Sequence, residues 1–353
     1  MKNKVLSSQK HPGGICIGTG LVALDVVISS DPNIPAGFFA GGSCGNVLTI
    51  LSYLGCQSYP IARLSCNQAS EILAEDLRRW NVHTDLLKFS NDGSTPIIIH
   101  RIVKDKAGVR RHKFEFRNPE DGKYLPAYKP VLAKSVPEVV HDSPKPSFFY
   151  FDRMNRASVD LASQYKENGA IIVFEPSSMK DRRMFDRCLQ IADILKFSDD
   201  RMPEFSTEFS TGQTYLDIET LGSKGLRYRT KGSSEWIGID AFDAREVMDA
   251  AGAGDWCTAG IIFHLLNSQA QLMTASPHDL NQALSFGQAL GAINCNFEGA
   301  RGAMYNLTAD EVIKEANWIL AEGQANISSI KGHTIAKKLR PQAFTISSLF
   351  ANV

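Results

Sequence analysis

Short apolar runs separated by longer amphipathic stretches set the rhythm of this chain. GICIG near residue 15, SFFYF near 149, AIIVF near 172, ILKFS near 196 and YLDIETLG near 218 read as strands. Near-continuous apolarity, rather than strict alternation, is expected of strands buried on both faces. Between them lie helical patterns over 46–54, 68–80, 155–168 and 181–192, and three more follow at 253–267, 280–297 and 309–322. Strand alternating with helix predicts a doubly wound α/β domain, with a mostly parallel sheet and helices on both faces.

One segment breaks this rhythm. STPIIIHRIVKDKAGVRRHKFEFR (94–117) holds two extended runs around KDKAG with no helix between them, the pattern of a β-hairpin. With the extended stretch 26–40 it predicts a small sheet beside the main domain, suited to a lid. The linker between Asp25 and Gly41 is short for a strand pair, so a reduced lid is expected. The α/β unit is expected over 13–325. The remaining 326–353 lack strong periodicity and receive no function.

Composition narrows the function classes. Lys plus Arg and Asp plus Glu both number 38, and no basic stripe is threaded with aromatics, which argues against nucleic acid as a partner. No run of about 18 apolar residues predicts a membrane span, and MKNKVLSSQKHPGG has no apolar signal core. The seven cysteines form no C-x-x-C pair and read as reduced, buried thiols, so a soluble cytoplasmic protein is expected. The eight histidines show no zinc spacing.

Three stretches carry candidate chemistry. GICIGTGLVAL has the outline of a dinucleotide fingerprint at Gly18, Gly20 and Ala23, but β-branched extended sequence follows where a helix must open, so that reading is set aside. It leaves Asp25, either a solvated loop carboxylate or a ligand contact at the mouth of the first strand. In AGGSCGNVLTILSYLG, Gly41, Gly42 and Asn46 are either a turn with an N-cap asparagine or a cradle for a polar ligand. In MDAAGAGDWCTAG, Gly252, Ala253 and Gly254 precede an apolar helix, where successive N–H groups can meet an anion. Asp255 then stands where a base would take a proton from a hydroxyl attacking a phosphoryl group. Asp249 could orient that loop or help to bind a cation.

The order and spacing of Asp25, GGSCGN, ETLGSKGL (219–226) and DAAGAGDWCTAG resemble those of the ribokinase-like, or PfkB, sugar and nucleoside kinases, over about 15–322. The resemblance implies a ribokinase-like fold and ATP-dependent phosphorylation of a sugar or sugar derivative, with Mg²⁺. Asp255 would be the base, and the amides of Gly252, Ala253 and Gly254 its anion hole. Asp25, Gly41, Gly42 and Asn46 would hold substrate hydroxyls, with Asp152 as an acidic contact found in some members. Thr220, Gly222 and Gly225 would form the nucleotide turn, with Gln288 where an asparagine near the adenine is frequent. Some members bind a monovalent cation near the places of Asp249 and Gly299, which leaves K⁺ open, as it leaves open a homodimer through the lid.

There are departures. Ser198 and Arg201 occupy places where the family commonly has asparagine and glutamate, linked to magnesium and phosphate handling; Asp199 or Asp200 could substitute. A nucleoside kinase is the nearest alternative, with Phe38, Phe39, Phe114 or Phe116 as a base clamp. A non-catalytic sugar- or nucleotide-binding protein is the alternative from another class. If Arg101 or Arg117 reached over the site, a sugar acid would be favoured.

Overall fold

The computed structural model describes residues 13–28, 36–104, 110–244, 247–268, 272–323 and 346–350, with backbone alone at 102–104, 110–112 and 350. In chain order, the first part gives β1 (Ile15–Thr19), β2 (Ala23–Ile28), β3 (Gly37–Gly41), α1 (Ser43–Tyr53), β4 (Gln57–Leu64) and α2 (Gln68–Arg79). Then come β5 (Leu87–Phe89), β6 (Ile97–Lys104), β7 (Arg110–Glu115), α3 (Val136–Asp142), β8 (Phe148–Phe151) and α4 (Arg156–Glu167). The middle continues as β9 (Ile171–Phe174), α5 (Arg182–Ile191), β10 (Ile194–Ser198), α6 (Phe205–Glu208) and β11 (Leu216–Thr220). The chain closes with β12 (Leu226–Thr230), β13 (Ile237–Ile239), α7 (Ala253–Asn267), α8 (Pro277–Asn294) and α9 (Ala309–Glu322).

Among the described residues, nine strands form the large sheet in the order β13-β12-β11-β10-β9-β8-β1-β4-β5. The pairs from β11 across to β5 are all parallel, while β12 and β13 add antiparallel at the other edge. All five expected strands lie in the parallel part. β8 shows why continuous apolarity is needed: Phe148 and Tyr150 enter one core layer, and Phe149 and Phe151 enter the layer on the opposite face. The expected helices form too, with shifted ends. The largest shift is α8, which begins at Pro277 because Ser276 and Asp279 make a reciprocal capping box. Among these helices none is long and apolar enough to cross a membrane.

Strand β4 was not legible because Pro60 interrupts it. The strand tolerates that proline because β5 pairs only with Ala62–Leu64, leaving Pro60 without a neighbour on that side.

The separate small sheet has the order β3-β2-β6-β7. The expected hairpin is present as antiparallel β6 and β7, although its 105–109 turn lies outside the described residues. The short linker nevertheless supports a full strand pair, Ala23↔Gly41 to Val27↔Gly37, so the lid is not reduced. Leu24, Val26, Phe38, Ala40, Ile97 and Ile99 turn one face of this sheet into the core. The C-terminal stretch also returns to the domain: Leu349 is fully buried, and the Ser347 and Ile346 amides donate to Glu120.

A buried ion pair ties the lid to the body. The Arg301 Nη2 lies 2.6 Å from Asp76 Oδ2 on α2, and the same oxygen accepts from the Ala40 amide of β3 at 2.8 Å. Removing one member of a buried pair leaves an uncompensated charge. Asp76→Ala should therefore lower unfolding free energy by about 3–5 kcal/mol, read from denaturant midpoints. A loss within about 0.5 kcal/mol, as for ordinary surface positions, would refute the structural role.

Candidate active site

The site is built on the first turn of α7. Its cap residue Gly252 has φ 75°, and no side chain caps the helix. A Cβ at Gly252 would fall 2.1 Å from the Ala300 carbonyl oxygen. This glycine thus serves a left-handed turn and a close backbone contact, and not only an incoming anion. Gly254 is different. It is exposed, and a Cβ there would meet nothing nearer than the Lys196 Nζ at 3.8 Å. The Ala253 amide already donates to Ala250 O at 3.3 Å, but the open space at Gly254, on a helix N-terminus with no side-chain cap and at the positive end of the helix dipole, suits an anion. Asp249 holds the approach to this turn: its carboxylate accepts from Ala251 N at 2.9 Å and Gly299 N at 2.7 Å.

Asp255 lies in that turn and accepts from Asn46 Nδ2 at 2.8 Å. Its carboxyl is pushed up to about 7, first by burial and then by the charge of Glu175, against the Asn46 hydrogen bond and the charges of Lys196 and Arg201. Asn46 is not an N-cap as its sequence setting allowed. Helix α1 starts at Ser43, and the Asn46 amide already donates to Gly42 O, which frees the side chain to reach Asp255. Asn46 Oδ1 is buried without a hydrogen-bond partner.

Asp25 is a buried residue of β2, not a solvated loop carboxylate. Gly41, opposite on β3, makes room for it, since a Cβ at Gly41 would fall 2.0 Å from Asp25 Oδ2. Gly42 has φ 77° and packs on the Leu21 carbonyl. Asp152 follows β8, is buried, accepts from Leu21 N at 2.9 Å and lies 3.1 Å from Arg153 Nη1. Burial raises its pKa. Cys44, whose thiol pKa is raised first by burial and also by the charges of Asp152 and Asp255, lies within electrostatic reach of both carboxylates.

Thr220, Gly222 and Gly225 stand at the end of β11, where Leu221 N donates to Gly225 O. Gln288 of α8 comes to the same region, its Nε2 3.4 Å from the carbonyl oxygens of Ile239 and Asp240. Ser198 closes β10, and Arg201 turns back on it by a backbone hydrogen bond. Among the described residues no cluster of three or more His, Cys, Asp or Glu could hold a metal ion. Of the two acids between Ser198 and Arg201, Asp199 already accepts from the Asp200 amide at 2.9 Å.

Two lid arginines are already engaged. Arg101 pairs with Glu115 at 3.2 Å, and Arg117 donates to Gly122 O and stacks on Tyr124. Both arginines named for a sugar acid thus already have partners on the lid. Phe38 is buried in the core and is not available as a base clamp.

Sequence reasoning missed the support beneath Asp255. The Lys196 Nζ lies 2.6 Å from Glu175 Oε1 and 3.2 Å from Gly254 O, and the Thr258 hydroxyl lies 2.7 Å from Glu175 Oε2. Burial, the largest single cause, pulls the Lys196 pKa down, but Glu175, Cys257 and Asp255 together outweigh it, and the net direction is upward. A signal was available: Lys196 is a charge inside ILKFS, a strand otherwise buried on both faces.

The model of the family described as pfkB family carbohydrate kinase matches residues 36–306. A probable chloroplastic fructokinase-6 of Arabidopsis thaliana is 25% identical over 351 residues, covering 90% of this chain and 86% of that protein. The ATP-bound fructokinase of Xylella fastidiosa superposes with a TM-score of 0.66 at 17% identity, covering 87% of this chain and 99% of the other. The nucleoside kinase of Methanocaldococcus jannaschii, a ribokinase-family member, gives 0.65 at 18% identity, with 87% and 99% covered. The fold is ribokinase-like, and the chain belongs to the pfkB family of carbohydrate kinases, phosphotransferases acting on a sugar hydroxyl.

Proposed function

We propose that this chain transfers the γ-phosphoryl group of ATP in line to a hydroxyl of a neutral sugar, with fructose the first acceptor to test. The observation that carries this reading is Asp255, raised to about 7 and held by Asn46 beside the uncapped, open turn at Gly254. A carboxylate near neutrality is matched to taking a proton from an attacking hydroxyl. The amides of Gly252, Ala253 and Gly254 would stabilise charge on the transferring group. Asp25, Asn46 and Asp152 would hold the acceptor, while Thr220, Gly222, Gly225 and Gln288 would line the adenine-nucleotide end. Magnesium, when bound, neutralises phosphate charge, with Asp199 or Asp200 as its protein ligand. A K⁺ ion at Asp249 would reinforce the tie to Gly299 that the carboxylate already makes.

The choice of fructose rests on the plant relatives, which are probable fructokinases. A nucleoside acceptor is the second reading, favoured by Phe114 and Phe116, which are 51% and 57% exposed on the lid. A sugar-binding protein without catalysis has no need of a carboxylate tuned in this way.

Asp255→Asn should lower kcat about 10²- to 10⁴-fold while leaving ATP affinity nearly unchanged. Near-normal turnover would remove Asp255 from the mechanism. Because the base acts deprotonated, kcat in the native protein should rise with pH through about 7 and then level off. Glu175→Gln removes a negative charge that raises Asp255, so the acidic limb of its pH–rate profile should move to lower pH. An unmoved limb would mean that another group titrates. Gly254→Val should abolish most activity with little change in Tm, since it fills only open space, whereas Gly252→Val should lower both. Equal thermal losses in the two variants would make Gly254 a structural residue.

A further inference from the structure

His100 stands on lid strand β6, and nothing in the family reading gives it a role. The register Asp25↔Ile98 and Val27↔His100 places Asp25 and His100 on the same face of the small sheet. Both are more than nine-tenths buried, and His100 Nε2 lies 3.3 Å from Asp25 Oδ1. Neither atom makes a hydrogen bond. Buried polar atoms are almost always paired, so two orphans facing each other beside a substrate-holding aspartate are an exception that calls for a partner. The imidazole is held in place by an edge contact with Phe114, at 4.8 Å between ring centroids and 76°.

Resting on the kinase reading above, we propose that His100 is a specificity residue that, together with Asp25, reads one non-reacting hydroxyl of the acceptor. An oxygen about 2.8 Å from each of two atoms can bridge this 3.3 Å gap. In the Nε2–H tautomer, which points its proton toward the carboxylate, the bridging group must accept from the imidazole and donate to the carboxylate, and a hydroxyl does both through one atom. A carbonyl or ether oxygen has no proton for Asp25, and an ammonium has no lone pair for His100. The pair therefore selects a hydroxyl by chemistry as well as by place. A deoxy acceptor would leave both buried groups unpaired, the circumstance in which sites discriminate most strongly.

The test crosses protein variants with deoxy acceptors. Native protein, His100→Phe and His100→Gln are assayed with D-fructose and its 1-, 3- and 4-deoxy analogues, and with inosine and its 2′- and 3′-deoxy counterparts. In the native protein one deoxy analogue should lose about 10²-fold or more in kcat/KM. His100→Phe, which keeps the contact with Phe114, should raise KM for the hydroxylated acceptor with KM for ATP unchanged, and should shrink that particular gap by about tenfold or more. His100→Gln keeps an N–H donor and should retain most of the gap. Equal discrimination in native and His100→Phe proteins would overturn the role of His100 while leaving the kinase reading intact. Phosphorylation of neither fructose nor inosine by native protein would overturn both.

Discussion

The contact between Lys196, Glu175 and the first turn of α7 is the constraint on which the site depends. Strands β9 and β10 run parallel, so their carboxyl ends meet at one rim, and a cation from one finds an anion from the other. Lys196 also lies within hydrogen-bond reach of the Gly254 carbonyl, and Thr258 ties the same turn to Glu175. An anion site made of backbone amides works only if those amides hold their direction before the ligand arrives. Here that direction is set from below by a partly buried ion pair and from the side by the Asp249 carboxylate.

The same pair bears on the electrostatics of Asp255. Glu175 raises Asp255, Lys196 and Arg201 lower it, and burial adds the largest upward push. The outcome near neutrality is a balance of opposed effects, so the Arg201 departure from the family pattern is not an isolated change. It puts a positive charge within reach of Asp255, which favours the ionised carboxylate.

The lid has two sides with separate duties. Its apolar face joins the core through Leu24, Val26 and Ile99, and the Asp76–Arg301 pair fastens β3 to the body. Its other face carries Asp25 and His100. A firmly packed lid holds these side chains in fixed positions, which a loosely attached hairpin could not do.

Apolar patterning alone determined the alternating α/β architecture, the five parallel strands it singled out and the lid hairpin, because burial on two faces leaves a direct mark on composition. Spacing within the glycine-rich stretches singled out Asp255, Asn46 and Asp25. β4 was hidden by Pro60, β13 is a three-residue edge strand, and β12 reads LRYRT, whose charges weaken the apolar signal. Only the tertiary structure decided which groups meet. Asn46 reaches Asp255 across 209 positions, Arg301 reaches Asp76 across 225, and His100 reaches Asp25 through the register of two strands. Local sequence records whether a residue is buried through its neighbours' periodicity, but a partner brought in by chain crossover leaves no periodic trace, so pairing and the charge balance it creates belong to the fold.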